Sequence, residues 1–159
     1  MSVRDLMNEI YTLNPDWGDG FEWDYLKEVV KLIKDRSKTI TEIISMSEIF
    51  FKDKLEYDID LINKTFNDKS IAIIKDFQSA LSSIEDWSRV EIEKIFEDIM
   101  EQHEVAIGQV MKPVRVAISG IPFGPGIFDL ILLLGKEICQ IRLRHACLLY
   151  TSPSPRDTR

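Results

Sequence analysis

Cysteine and histidine are scarce in this chain of 159 residues, which has two of each. Cys139 and Cys147 are too few and too poorly spaced for a zinc site or a disulfide framework, so we expect a reducing, cytoplasmic compartment. His103 and His145 stand far apart without further ligands at metal-binding spacing, and we expect no metal site. No apolar run approaches the roughly 20 residues that cross a bilayer, so we expect no membrane partner.

The motifs of nucleotide-dependent chemistry are also missing. The turn at residues 124–126 lacks the preceding strand and the lysine–hydroxyl pair of a phosphate-binding loop. The carboxylates of residues 90–104 are spaced along a solvated helix face, and nothing in the pattern buries a pair of them for acid–base chemistry. We therefore expect no catalytic residue in this chain.

Charge is distributed unevenly along the sequence. The net charge of −7 argues against a general nucleic-acid coat, and we do not expect DNA as a partner. Residues 1–110 carry 13 basic and 24 acidic side chains, whereas residues 111–146 carry 5 basic and 2 acidic ones. The C-terminal part is therefore locally basic in an acidic chain.

Apolar residues recur at intervals of three and four, which predicts an all-α fold. Capping boxes at residues 39–42 and 88–91 mark two helix starts, because a hydroxyl and a glutamate there satisfy free backbone amides. Pro113 interrupts a helical run, and we favour a kinked helix over a late helix start. The pattern predicts helices over residues 25–33, 59–66, 71–84, 90–103, 109–119, 127–134 and 136–145, and one that begins near residue 39.

Composition also suggests how the chain is divided. A boundary near residues 86–88 or near Gly108 would separate an acidic helical cage from a compact basic bundle, and we place it between residues 106 and 107. Residues 147–159 change composition abruptly and resemble a translated sequencing adapter. We exclude them from the fold and expect the natural sequence to diverge after about Ala146.

Two arginines and one turn are candidates for binding. Arg36 closes a helix, where a cation offsets the negative helix end, and this structural role is sufficient to explain it. Arg115 lies in an apolar run, where its guanidinium must pair with a carboxylate, a phosphate or a base edge. The turn at residues 124–126 has a bare backbone that a flat ligand can approach closely.

Several motifs occur in a specific order and spacing. Together they resemble the C-terminal anticodon-binding domain of glutamyl-tRNA synthetase, a class I aminoacyl-tRNA synthetase family. The resemblance covers most of residues 22–146. It is carried by residues 29–36 with Thr39, and by residues 50–51, 57–58, 108–120, 125–128 and 134–137.

The resemblance implies a helical cage subdomain over residues 22–106 and a C-terminal helical bundle over residues 107–146, which read the anticodon loop of glutamate tRNA. Arg36 matches the family arginine that contacts the first anticodon base and helps to reject glutamine tRNA, and Arg115 matches a second anticodon-contacting arginine. The loop that holds the other bases corresponds to Gly124, Pro125 and Ile127. At Gly124 the family often has a hydroxyl residue, so one contact is expected to be missing.

The same resemblance implies a longer parent enzyme, glutamate–tRNA ligase, which uses ATP and Mg²⁺ in a catalytic domain of the same polypeptide. This chain contains neither the His-x-Gly-His element nor the lysine-methionine-serine-lysine loop of that domain. We therefore expect a fragment that is inactive alone, holds no cofactor, and is joined to the catalytic region through residues 1–21. The alternative is an acidic helical protein-interaction bundle with no RNA role.

Overall fold

The computed structural model describes residues 2–150. This part of the chain forms nine α-helices and no β-strand, which confirms the predicted all-α fold. Two short 3₁₀ turns, Lys34–Arg36 and Glu48–Phe50, follow the second and third helices. The helices are α1 (Val3–Leu13), α2 (Trp23–Ile33), α3 (Ile40–Ser47), α4 (Ile59–Thr65), α5 (Asp68–Ser83), α6 (Arg89–His103), α7 (Ile107–Ser119), α8 (Ile127–Leu134) and α9 (Lys136–Leu149).

Helix α2 has the two-sided character that its sequence predicts. Its apolar residues at intervals of three and four are buried, whereas Lys27 and Lys31 are exposed. Such a helix is stabilised mainly by packing its apolar face against other elements. Helix α2 packs against α1, α3 and α8. This packing fixes the 3₁₀ turn at its end, which carries Arg36.

Both predicted capping residues begin helices. The Thr39 hydroxyl oxygen accepts a hydrogen bond from the Glu42 amide at 3.1 Å, and the Ser88 hydroxyl accepts one from the Glu91 amide at 3.4 Å. The Glu42 carboxylate accepts from the Lys38 amide at 2.8 Å, one residue before the usual partner of a capping box. Each cap contributes about 1 kcal/mol by satisfying free amides at the helix start.

Four helices, α2, α5, α6 and α7, begin one to three residues earlier than the sequence pattern predicts. Helix α5 begins three residues earlier because the Asn67 side chain caps it, accepting from the Ser70 amide at 2.8 Å. Helix α7 begins two residues earlier, where the Gln109 side chain accepts from the Ala106 amide at 3.1 Å. The errors at α5 and α7 arose because a local polar side chain starts each helix before its apolar periodicity becomes visible.

Helix α9 extends four residues beyond its predicted end at residue 145. It thereby includes residues 147–149 of the segment predicted to be foreign. Cys147 is partly buried, and the Tyr150 ring centroid lies 6.5 Å from that of Phe66. Residues 151–159 lie outside the described residues, and the foreign origin of the segment stays a prediction.

Pro113 lies in the middle of α7. A helix that started late would place proline in its first turn, but α7 begins six residues before Pro113, so a late start is excluded. The proline has no amide hydrogen for the carbonyl of Gln109, one turn earlier. Pro113 is buried, and α7 is continuous through it. The kink itself stays a prediction.

The hydrophobic core runs through the whole described chain. Helix α5 packs against α6, α7 and α9. The ring of Phe96 on α6 lies 5.0 Å from that of Phe77 on α5 and 5.1 Å from that of Phe128 on α8. This aromatic contact joins residues on both sides of the boundary placed at residue 106, and the division into two subdomains stays a prediction. No helix within residues 2–150 combines the length and apolar character needed to span a membrane.

The N-terminal segment packs onto the same core. Met7 and Ile10 of α1 are fully buried, and α1 contacts α2 and α3. The Trp17 indole nitrogen donates to the hydroxyl of Ser47 at 2.8 Å, at the end of α3. Residues 2–21 are therefore folded against helices α2 and α3, whereas their predicted role as a connection remains untested.

Arg142 on α9 joins three segments inside the protein. Its fully buried guanidinium donates to the carbonyl of Ile118 at 2.7 Å, to that of Lys52 at 2.6 Å, and to that of Ile49. The Tyr57 hydroxyl donates to the nearby Ala117 carbonyl. The end of α7 and the segment after α3 are thus held to α9 by hydrogen bonds.

Candidate nucleic-acid interface

Arg36 lies on the surface at the rim of an open cleft of about 460 Å³. One wall of the cleft comes from α3, which supplies Glu42, Ser45 and Met46, and the opposite wall comes from the segment between α7 and α8. Arg36 occupies this position because α2 ends in a 3₁₀ turn immediately before the Thr39 cap. The guanidinium therefore stands beside a cleft that is large enough for a single nucleobase.

Arg115 reaches the segment on the far side of this cleft from the middle of α7. Its guanidinium nitrogen Nη1 donates a hydrogen bond to the carbonyl oxygen of Pro125 at 2.7 Å. The backbone of Gly124 passes close to the same nitrogen, because a Cβ atom at Gly124 would lie 3.8 Å from it. Arg115 thus orders the turn that contributes Gly124 to the cleft.

Gly124 has a backbone conformation that explains the residue found here. Its φ angle is +133°, a backbone conformation that L-residues with a side chain rarely adopt. The hydroxyl residue that the family often has at this position would therefore be strained in this turn. With hydrogen in place of a side chain, Gly124 leaves its backbone open to the cleft.

Two positive charges act on this region. Partial burial lowers the pKa of Arg115, and the charge of Arg36 lowers it further. Among residues 2–150, neither guanidinium forms an ion pair with a carboxylate. Arginine stays protonated in proteins, so both groups can donate hydrogen bonds to an anionic or acceptor-rich ligand.

The predicted site residues differ in what they expose. Arg36 and Gly124 line the cleft, and Arg115 and Pro125 are joined behind it. The Ile127 side chain is only 4% exposed and belongs to the hydrophobic core, at the first position of α8. The structure therefore brings the arginines and the turn to one region, and the binding roles of all five residues stay predictions.

Phe123 is a lining residue that the sequence analysis missed. It is 67% exposed and contacts the cleft next to Gly124. The available signal was an aromatic residue between a proline and a glycine, in a turn where burial is difficult. Arg142 was also missed. In a helix that contains both polar and apolar residues, the sequence around a buried arginine looks the same as that around a surface arginine.

Comparison with known proteins identifies the fold and the domain family. The family model described as "Anticodon binding domain" matches residues 4–147. The crystal structure of a glutamate tRNA ligase from Elizabethkingia meningosepticum, in complex with its amino acid, superposes with a TM-score of 0.81 over 93% of this chain at 22% identity. The glutamate-tRNA synthetase of Elizabethkingia anophelis gives a TM-score of 0.76 at 21% identity over the same share.

Curated relatives are similar in sequence along most of this chain. Glutamate–tRNA ligase 2 of Thermoanaerobacter pseudethanolicus is 32% identical over 81% of the chain. The glutamate–tRNA ligase of Desulforudis audaxviator is 34% identical over 91%. These alignments span only 27% and 29% of the relatives' own lengths.

The family match also decides between the two predicted classes of protein. A protein-interaction bundle without an RNA role is not favoured, since the matched region includes nearly all of the described helices. The predicted anticodon-binding domain is confirmed instead. The chain belongs to the anticodon-binding-domain family.

Proposed function

We propose that this chain reads the anticodon loop of glutamate tRNA as part of a glutamate–tRNA ligase. The observation that carries the proposal is the placement of two arginines without carboxylate partners, among residues 2–150, at one glycine–proline turn. Proteins that recognise RNA sequence bind unpaired bases through stacking and hydrogen bonds to base edges. The names of the relatives support glutamate as the amino acid.

The chemistry of the guanidinium suits a cytosine in the anticodon. Glutamate and glutamine anticodons differ only at their last nucleotide, which is C for glutamate and G for glutamine. The pairing edge of cytosine presents two adjacent acceptors, N3 and O2, whereas guanine presents donors at N1 and N2. An arginine has only donors, so it matches the two acceptors on the pairing edge of cytosine better than the N1 and N2 donors on that of guanine. Because the two anticodons share their first nucleotide, to which the resemblance assigns Arg36, rejection of glutamine tRNA requires this contact at the last nucleotide. Arg36 and Arg115 are the two candidates for it.

Charge would direct the RNA to this region. The chain carries a net charge of −7, so most of its surface repels the phosphate backbone. The arginines near the cleft provide a local positive field that favours one orientation of the loop. Affinity should therefore fall with added salt, since bound arginines release counterions from the RNA.

The remaining steps of aminoacylation belong to other parts of the proposed parent enzyme. A catalytic domain of the same polypeptide would use ATP and Mg²⁺ to activate glutamate, in the cytoplasm. The residues of this chain would contribute tRNA selection alone. By itself the chain should bind tRNA weakly and catalyse no reaction.

A direct binding experiment tests this function. The affinity of the chain is measured by fluorescence anisotropy for two hairpins with the same stem, one with the glutamate anticodon and one with three adenosines in its place. We expect tighter binding of the first hairpin and a steep loss of affinity as salt rises. Equal affinity for both hairpins, or no binding at low salt, would rule the proposal out.

A further inference from the structure

Phe123 is the most exposed aromatic side chain within residues 2–150. It is 67% exposed, whereas Trp23 is 44% and Phe21 is 39% exposed. Those two rings stack on neighbours, Trp23 on Tyr11 and Phe21 on Tyr25. No aromatic pair in the described part of the chain includes Phe123. Its ring therefore remains available to a ligand.

The position of Phe123 connects this ring to the arginines. It follows α7 in the same turn as Gly124, and both residues line the cleft that Arg36 borders. The bond from Arg115 to Pro125 holds the turn two residues further along. An apolar surface, a hydrogen-bond donor and an open backbone thus meet in one cleft, which is the combination that a flat heteroaromatic ligand requires.

We propose that Phe123 is a stacking surface for one unpaired pyrimidine of the anticodon loop, an inference that rests on the proposed function. The anticodons of glutamate contain only uracil and cytosine, the bases with the smallest ring area. Pyrimidines stack weakly on each other when the loop is opened. Stacking on a protein ring can therefore contribute more to the binding free energy than stacking between the bases. Stacking on an aromatic side chain tolerates either base, because each has a π face.

The proposal gives Phe123 and the arginines different roles in base binding. Phe123 holds a base by its face, while a guanidinium donates to an edge of a base and supplies the choice between anticodons. Loss of the ring should thus weaken glutamate and glutamine hairpins by similar factors. This distinguishes a stacking residue from a residue that reads the base edge.

Substitution at Phe123 with two readouts tests the inference. We expect Phe123→Ala to weaken binding of the glutamate hairpin about fivefold or more, Phe123→Leu to weaken it less, and Phe123→Trp to preserve it. The fluorescence of the introduced tryptophan should be quenched by the hairpin, beyond the change seen in the wild-type chain. Because the side chain is exposed, none of the three changes should shift the unfolding midpoint.

Phe21 provides the matched control. It is a partly exposed ring at the opposite end of α2 from Arg36. Phe21→Leu should leave hairpin affinity unchanged, and Phe21→Trp should report no added quenching. If the wild-type chain prefers the glutamate hairpin but Phe123→Ala binds equally well, or Phe123→Trp shows no quenching, the stacking role alone is refuted. If the wild-type chain shows no preference between hairpins, the proposed function fails as well.

Discussion

The Nη1 atom of Arg115 donates a hydrogen bond to the carbonyl oxygen of Pro125 at 2.7 Å. This bond connects the middle of α7 to the turn that leads into α8. A guanidinium has five N–H donors in a fixed plane, so one can hold the turn while others face a ligand. Arg115 is therefore suited to order the binding surface and to bind RNA at the same time.

The first prediction concerns this double role. Arg115→Ala should weaken binding of the glutamate hairpin by about 1–3 kcal/mol, because it removes the base contact and frees the turn. Arg115→Lys should recover only part of the loss, since an ammonium lacks the planar fork that reaches two acceptors. Isothermal titration calorimetry at fixed salt measures both changes.

Arg144 offers a control for charge. It is an exposed arginine on α9, away from the cleft, so Arg144→Ala removes the same charge without touching the turn. Its effect on affinity should be small at physiological salt. A loss as large as that of Arg115→Ala would show that net charge, and not the position of the guanidinium, controls binding.

The second prediction concerns discrimination between anticodons. Arg36→Gln replaces a group that only donates with an amide that both donates and accepts. We expect the affinity for the glutamate hairpin to fall more than the affinity for the glutamine hairpin. The preference for the glutamate hairpin should therefore shrink. The ratio of the two dissociation constants, measured by anisotropy, is the relevant quantity.

Lys27 provides the comparison for Arg36. It is exposed on α2, about two and a half turns before Arg36, so Lys27→Gln neutralises a charge without changing the cleft. The ratio of dissociation constants should be the same as in the wild-type chain. An unchanged ratio in Arg36→Gln would assign Arg36 to its structural role at the end of α2.

The sequence predicted eight of the nine helices within residues 2–150 because its signals are local, whereas α1 was not predicted. Spacing of apolar residues located α8 to the residue, and the Thr39 and Ser88 caps located two helix starts. Polar caps that precede the apolar pattern, as at Asn67, were not recognised. Local chemistry therefore determines the elements, while their first residues depend on single hydrogen bonds.

The site was predictable only in part. Motif resemblance selected Arg36, Arg115 and the turn, and the structure places them around one cleft. It could not show that the Ile127 side chain belongs to the core or that Phe123 is exposed, because burial depends on elements distant in sequence. Tertiary packing decides which residues of a matched loop present a side chain to a ligand.

The third prediction concerns stability at high pH. Burial raises the pKa of Tyr25 to about 12 from 10, and the Tyr25 hydroxyl donates to the carbonyl of Phe50 at 2.7 Å. The tyrosine ionises more readily in the unfolded chain, so its contribution to stability is complete below pH 10 and declines as the pH rises towards 12. Denaturant unfolding at pH 8 and pH 11 should show a smaller fall for Tyr25→Phe than for the wild-type chain. An equal fall in both proteins would exclude this linkage.

The fourth prediction concerns Arg142, whose guanidinium donates to three backbone carbonyls inside the protein. Arg142→Met keeps the volume of the side chain but leaves those carbonyls without a donor, and an unsatisfied buried acceptor costs about 1–3 kcal/mol. We expect a loss of more than about 3 kcal/mol in the free energy of unfolding, measured with urea and circular dichroism.

Arg144→Met is the control, because it removes the same charge from an exposed position on α9. It should change the free energy of unfolding by less than about 0.5 kcal/mol. The hydrogen bonds of Arg142 link the end of α7 to the segment after α3, and these elements adjoin in sequence the two walls of the cleft, which are α3 and the segment between α7 and α8. Arg142→Met should therefore also weaken hairpin binding under conditions where most of the variant remains folded. Wild-type stability in this variant would mean that water satisfies the three carbonyls, and that packing of apolar side chains alone holds the cleft together.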